Sequence, residues 1–222
     1  QRVGQRPEHN MGLPEAVDVH RRWRSVTDEY DDRLLLGETY VLDVEKLMNY
    51  VVPDGLHLCM NLAFVHTPFV AESLAAVGAD SERLYPAGAS PVWHASSHDD
   101  PHFATRWCDG DEDAIRCTLV ALLSLRGTCI LFQGDEIGME AVDVPPGRTR
   151  DIAGRDPART AMVWSDVEGA GFTEPGVEPW LPVGDRSRNV AAQRDDPDSI
   201  LALTRDLIAL RKHRGLLAGG YE

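Results

Sequence analysis

The run Leu34-Leu35-Leu36-Gly37-Glu38-Thr39 decides how this chain is read. Three leucines make a short apolar stretch of the kind a buried parallel strand shows. In a parallel α/β sheet the carboxyl ends of the strands carry the chemistry, so Glu38 falls at a functional edge. A second strand-like run at 90–97 delivers His98-Asp99 in the same way. Two carboxylates at two strand ends suggest acid–base work on a polar substrate.

Working outward, the pattern predicts strands at 33–37, 56–64, 90–97 and 129–132. Helices are expected at 14–30, 43–50 with Asp43 as N-cap, and 111–125. Two more are expected, one opening at Thr67-Pro68 with Gly78 as its stop, the other at 199–213. Strands alternating with helices imply a parallel sheet and the α/β class, because parallel strands need long crossovers. A Pro- and Gly-rich stretch at 139–198 has little helical periodicity, and structureless loops of that length usually serve function. Its Trp164, Phe172 and Trp180 are aromatics that either stack on sugar faces or anchor the loop.

The net charge of −14 argues against a nucleic-acid or anionic-membrane surface. No apolar run approaches the ~20 residues of a membrane span. The residues at 1–7 lack the apolar core of a signal peptide and an initiating Met. Cys59, Cys108, Cys117 and Cys129 form no C-x-x-C pair, and no zinc spacing accompanies them. They read as buried free thiols in a reducing, cytoplasmic compartment.

Alone, Gly37-Glu38-Thr39 and His98-Asp99 are weak motifs, but they gain weight from four further runs. Leu131-Phe132-Gln133-Gly134-Asp135-Glu136-Ile137-Gly138-Met139 comes next, then Arg155-Asp156-Pro157-Ala158-Arg159-Thr160-Ala161-Met162-Val163-Trp164. Gly169-Ala170-Gly171-Phe172 and Glu178-Pro179-Trp180-Leu181-Pro182-Val183 complete the set. With these motifs the chain resembles the α-glucosidases of the α-amylase superfamily (glycoside hydrolase family thirteen), in the oligo-1,6-glucosidase and α-glucosidase branch.

The resemblance implies a (β/α)8 barrel with its active site at the strand carboxyl ends. It implies that Glu38 is the general acid/base and that Asp99 stabilises the transition state by binding sugar hydroxyls. His98 matches the histidine that hydrogen-bonds the same ring. Arg155 or Arg159 matches the arginine that closes the glycone pocket, with Arg155 favoured. Phe64, Trp164 and Phe172 join them as substrate-binding candidates. Asp135-Glu136, after the eighth strand, are expected in structural and orienting roles. The implied substrates are disaccharides or oligosaccharides of α-linked glucose such as maltose, isomaltose or sucrose. A transglucosylase such as a trehalose synthase, or a non-catalytic scaffold on the same fold, are the alternatives.

The chain departs from the family pattern in several places. Ser97 stands where the family has Asn, His102 where it has Arg, and Ala161 where it has Pro. His102 lacks a permanent cation and a five-donor fork. A retaining glycosidase also needs a nucleophile carboxylate roughly 5–5.5 Å from the acid/base. In this family it comes from a D-G-[FL]-R-[IVL]-D run at the fourth strand, and no such run occurs in the 222 residues. The expectation is therefore strands five to eight of a barrel over 1–214, with 215–222 opening a C-terminal β-sandwich. The missing N-terminal half of the barrel would be a partner and would carry the family's calcium site. This chain itself is expected to hold no cofactor and no metal.

Overall fold

The computed structural model describes residues 13–86 and 88–213, which divide into two compact units, 1–93 and 94–222. The expected start of a C-terminal domain at 215–222 lies outside the described residues.

The first unit runs α1 (Pro14–Thr27), β1 (Leu36–Gly37), α2 (Val44–Leu47), β2 (Leu58–Cys59), α3 (Leu62–Val65), α4 (Ala71–Leu84) and β3 (Val92–Trp93). Pro14 occupies the first helical turn of α1, where its missing N–H costs nothing. Asp43 caps α2, its carboxylate accepting from the amides of Glu45 and Lys46 at 3.0 and 3.2 Å. β1 and β2 pair in parallel with Leu36 opposite Leu58 and Gly37 opposite Cys59, and a parallel bridge joins Met60 to Val92. The core gathers Val44, Leu47, Tyr50, Val51, Leu56, Cys59 and Tyr85.

The expected strands are all present but short, and three details differ from expectation. Residues 62–65 leave the strand path for a helical turn, because the Asn61 side chain accepts from the Phe64 amide at 3.3 Å and caps it. α4 starts at Ala71 and runs through Gly78 to Leu84. One glycine costs about 1 kcal/mol in a helix, too little to stop a segment flanked by alanines and leucines. Thr67 instead belongs to the preceding turn, its hydroxyl donating to the Ala63 carbonyl at 2.7 Å. Finally, Leu34 and Leu36 are 59% and 45% exposed, so the leucine run is not the buried strand its composition predicts.

The second unit runs α5 (Phe103–Arg106), α6 (Glu112–Ser124), β4 (Thr128–Cys129), α7 (Val190–Gln193) and α8 (Ile200–Arg211). Asp111 and Ser199 cap α6 and α8 through the amides of Ala114 and Ala202. α6 buries Ile115, Leu119, Leu122 and Leu123 on one side and packs against α8. Arg211 at the end of α8 donates to the carbonyls of Leu123 and Leu125, at 2.7 and 2.6 Å, joining the two helix ends. The segment after β4 has little regular helix and wraps a second core of Ile137, Met139, Met162, Val163, Ala170, Val190 and Leu201. No helix among the described residues is long and apolar enough to cross a membrane.

The four cysteines are free. Cys59 and Cys108 are buried and Cys129 is half-buried, but Cys117 is exposed on α6, against the expectation of four buried thiols.

Candidate active site

In the first unit, the end of β1 sets the position of Glu38. The pairing carries Gly37 close under Leu56, where an added Cβ would sit 2.3 Å from a leucine methyl carbon. A larger residue directly before the acid would have to push the Leu56 side chain aside. On the other side, the Thr39 hydroxyl and the Cys59 thiol lie 2.9 Å apart. Glu38 itself is exposed. Phe64 is 4% exposed and packs edge-on against Trp93 with ring centroids 5.1 Å apart. It is a core residue of this unit, where a substrate-binding role was expected, because its ring is buried beside Trp93.

In the second unit, the loop at 96–103 carries His98 and Asp99. Ser97 organises it, its hydroxyl accepting from the amides of Asp99 and Asp100 at 3.1 and 3.0 Å and donating to the Asp100 carboxylate at 3.1 Å. The serine that stands where Asn was expected is thus a turn former. Ser96 fixes the base of the loop. Its hydroxyl accepts from the Phe103 amide at 2.8 Å and donates to Asp135 at 2.7 Å. Asp135 also accepts from the Phe132 amide at 2.9 Å. Gly134 and Gly138, both at positive φ, bracket the tight turn that presents it. Burial pushes the Asp135 carboxyl up to about 7 against those two hydrogen bonds.

Asp99 is the centre of the second unit's charge cluster. Its Oδ1 accepts from Arg155 at 2.9 Å and from Arg159 at 2.8 Å, with His98 Nε2 at 3.4 Å. Partial burial works against its charge, but the Arg159 hydrogen bond, the charge of His98 and Arg155 together hold the carboxyl below its ordinary value. Arg159 also donates to the His98 carbonyl at 2.8 Å, so one guanidinium grips both residues of the motif. Arg155 is oriented in turn by Asp151, whose two oxygens receive its Nε and Nη2 at 2.8 and 3.0 Å. That pair holds the Asp151 carboxyl far below its usual range. Asp156, buried, accepts from the amides of Arg150 and Asp151 at 2.5 and 2.9 Å and shapes the loop behind.

Sequence reasoning missed Asp151, although it stands four residues before Arg155, a spacing that commonly pairs charges. It also missed Gln133, whose side chain donates to the Thr160 carbonyl at 2.9 Å. Trp164, Phe172 and Trp180, for which stacking on sugar and anchoring the loop were both open, are all exposed. The turn after Trp164 is closed by backbone hydrogen bonds, from the Trp164 and Ser165 amides to the Ala170 carbonyl at 2.9 and 3.1 Å. His102 is fully buried rather than placed to meet a ligand, its Nε2 3.0 Å from the Gln133 carbonyl. Within neither unit taken alone do three His, Cys, Asp or Glu ligand atoms converge among the described residues.

The chain belongs to the α-amylase family: the description "Alpha amylase, catalytic domain" matches residues 2–220. Its relatives point to the α-glucosidase and oligo-1,6-glucosidase branch. A probable alpha-glucosidase of Rhizobium meliloti is 33% identical over 96% of the chain and 41% of its own length. The oligo-1,6-glucosidase of Parageobacillus thermoglucosidasius is 32% identical over 57% of the chain and 28% of its own length. Among solved structures, the alpha-glucosyl transfer enzyme XgtA superposes with a TM-score of 0.84 at 29% identity, over 94% of this chain and 41% of that one. The chain thus spans less than half the length of these relatives.

Proposed function

We propose that this chain is the acid/base-bearing part of the catalytic barrel of a retaining α-glucosidase, comprising strands five to eight over 1–214 and the start of a C-terminal β-sandwich at 215–222. The whole enzyme hydrolyses short α-linked glucosides in the cytoplasm. The observation that carries this reading is Asp99 held as an anion by Arg155 and Arg159 beside His98. A decayed scaffold has no use for a charge arrangement of that kind at a strand end.

In this reading Glu38 protonates the glycosidic oxygen as an Asp from the other part of the barrel attacks the anomeric carbon. The C–O bond breaks, the aglycone alcohol leaves, and a covalent glucosyl ester forms. Glu38, now a carboxylate, takes a proton from water as that water displaces the ester, and glucose leaves with its configuration retained. Asp99 accepts hydrogen bonds from ring hydroxyls. Positive charge develops on the sugar in the transition state, and a carboxylate fixed there in advance stabilises it without reorganisation. Arg155 and Arg159 hold Asp99 ionised and aimed. His98 contacts the same ring, and the exposed Trp164 and Phe172 offer apolar faces to sugar. The chain itself supplies no cofactor.

The test is hydrolysis of p-nitrophenyl α-glucoside. The full-length enzyme should turn it over, and the purified 222-residue chain should not. Turnover by the chain alone would refute the split of catalytic groups. A transglucosylase is the second reading, favoured by the likeness to XgtA. Product analysis separates the two: free glucose marks a hydrolase, and glucosyl transfer to a second sugar marks a transglucosylase.

A further inference from the structure

We infer that His102 is a positioning residue for Asp99, acting through Gln133 to tie the arginine-bearing loop to the loop that carries the acid. The inference rests on the reading of Asp99 as the transition-state stabiliser.

The geometry closes a ring of contacts within the second unit. His102 stands three residues beyond Asp99 on the same loop, at the start of α5. Its Nε2 lies 3.0 Å from the main-chain carbonyl of Gln133. A carbonyl only accepts, so Nε2 carries the proton and donates. The Gln133 side chain continues the path, donating to the Thr160 carbonyl at 2.9 Å. Thr160 follows Arg159, whose guanidinium returns to Asp99 Oδ1 at 2.8 Å and to the His98 carbonyl at 2.8 Å. Two loops far apart in sequence are thereby joined at both ends, directly at Asp99 and through Gln133 at the far side. Without the Gln133 link, the segment after Arg159 loses its tie to His102, while the Pro157 carbonyl still accepts from the Val142 amide at 3.2 Å.

The residue type fits this role and not substrate contact. His102 is fully buried, with the Phe132 ring 5.4 Å from its own. Its Nδ1 has no hydrogen-bond partner among the described residues. An arginine there would bring a permanent charge and five donors into a place that offers one carbonyl. A neutral imidazole supplies one donor at the right reach and leaves a single lone pair unmatched.

The experiment uses the full-length enzyme with His102→Leu, His102→Gln and Gln133→Met, and Glu38→Gln as control. His102→Leu removes the donor and keeps much of the bulk, whereas His102→Gln restores an N–H. The expected result is a kcat lowered about 10- to 100-fold in His102→Leu with KM within about twofold, because a misplaced stabiliser costs the transition state more than the ground state. His102→Gln recovers most of the loss. Gln133→Met leaves His102 untouched, lowers kcat comparably, and adds little to His102→Leu. Unchanged kcat in a folded His102→Leu overturns the proposal. If that variant does not fold, unchanged kcat in Gln133→Met overturns it.

Glu38→Gln separates this from the functional reading: if activity survives there, the α-glucosidase assignment fails. Hydrogen exchange then judges the link alone. Segments 97–103 and 155–160 should lose protection together in Gln133→Met, and loss confined to one of them overturns the proposal.

Discussion

Helices α1 and α6 are nearly the same length, 14 and 13 residues, and meet opposite fates. α6, in the second unit, buries Ile115, Thr118, Leu119, Leu122 and Leu123. α1, in the first unit, buries only Val17 and leaves Val19, Trp23 and Val26 exposed, with Tyr30 just beyond. Val19, Trp23 and Val26 are spaced four and three apart, which places them on one face of α1. An amphipathic helix normally spends such a stripe on a core. Among the described residues, α6 thus spends its apolar face on the second unit's core and leaves Val120 outside, whereas α1 leaves most of its apolar residues exposed.

The largest expected effect tests the two units' shares of the chemistry. Glu38→Gln in the full-length enzyme should lower kcat about 10²–10⁴-fold, as loss of a general acid/base does. Asp151→Asn should cost less, since it only loosens Arg155 behind Asp99. A greater loss from Asp151→Asn, in steady-state kinetics, would shift the centre of catalysis into the second unit.

Next in size is the cost of emptying the two helix faces. Leu119→Ala should destabilise by about 2–5 kcal/mol in chemical denaturation, the usual cost of truncating a buried leucine. Val19→Ala should fall within about 0.5 kcal/mol, if the face is free in the isolated chain. Equal costs would break the comparison between α1 and α6. In the full-length enzyme a larger cost for Val19→Ala would sharpen it, by showing that the stripe becomes covered.

pH offers a third contrast, inside the second unit. The folded value of Asp135, about 7, lies above its ordinary 3.8. The folded state therefore favours the protonated carboxyl, and its stabilisation is full below about 4 and lost as pH rises through about 7. Burial lowers His102 from its ordinary 6.5, so the neutral ring's contribution is full above that value and lost as pH falls through the folded one. Each slope is at most about 1.4 kcal/mol per pH unit. Melting temperatures from pH 5 to 8 should show Asp135→Asn flattening the loss on the alkaline side and His102→Gln the loss on the acid side. A profile unmoved by Asp135→Asn would mean that this carboxyl is not the buried acid described.

Much of this was legible in the sequence. Caps at Asp43, Asp111 and Ser199 and proline at the head of α1 mark helix starts by local chemistry, which sequence carries directly. Asp111→Ala should accordingly cost about 1 kcal/mol, and a thermal melt reads it. Glu38, directly after β1, was legible for the same reason, whereas β3 ends at Trp93 and His98-Asp99 sits on the loop at 96–103. What was not legible depends on contacts between distant segments. Nothing local says that Leu36 is exposed, that Gly78 lies inside a helix, or that Phe64 closes against Trp93. The partners of Asp99 illustrate both cases. Arg155 and Arg159 belong to a recognisable run, whereas the path through Gln133 joins residues that no spacing relates.

The cysteines turn the contrast between the units into a clock. Cys117 is exposed and should react with a thiol reagent at once, giving an internal standard. Cys59 in the first unit is buried with its thiol pushed up by desolvation. In the second unit, Cys108 is likewise buried and raised, and the Cys129 thiol is pushed up to about 11. Cys59 and Cys108 label only when their surroundings open. The order in which Cys59 and Cys108 are labelled therefore reports which unit breathes first, without any engineered probe, and the uncovered apolar face of α1 sets Cys59 ahead.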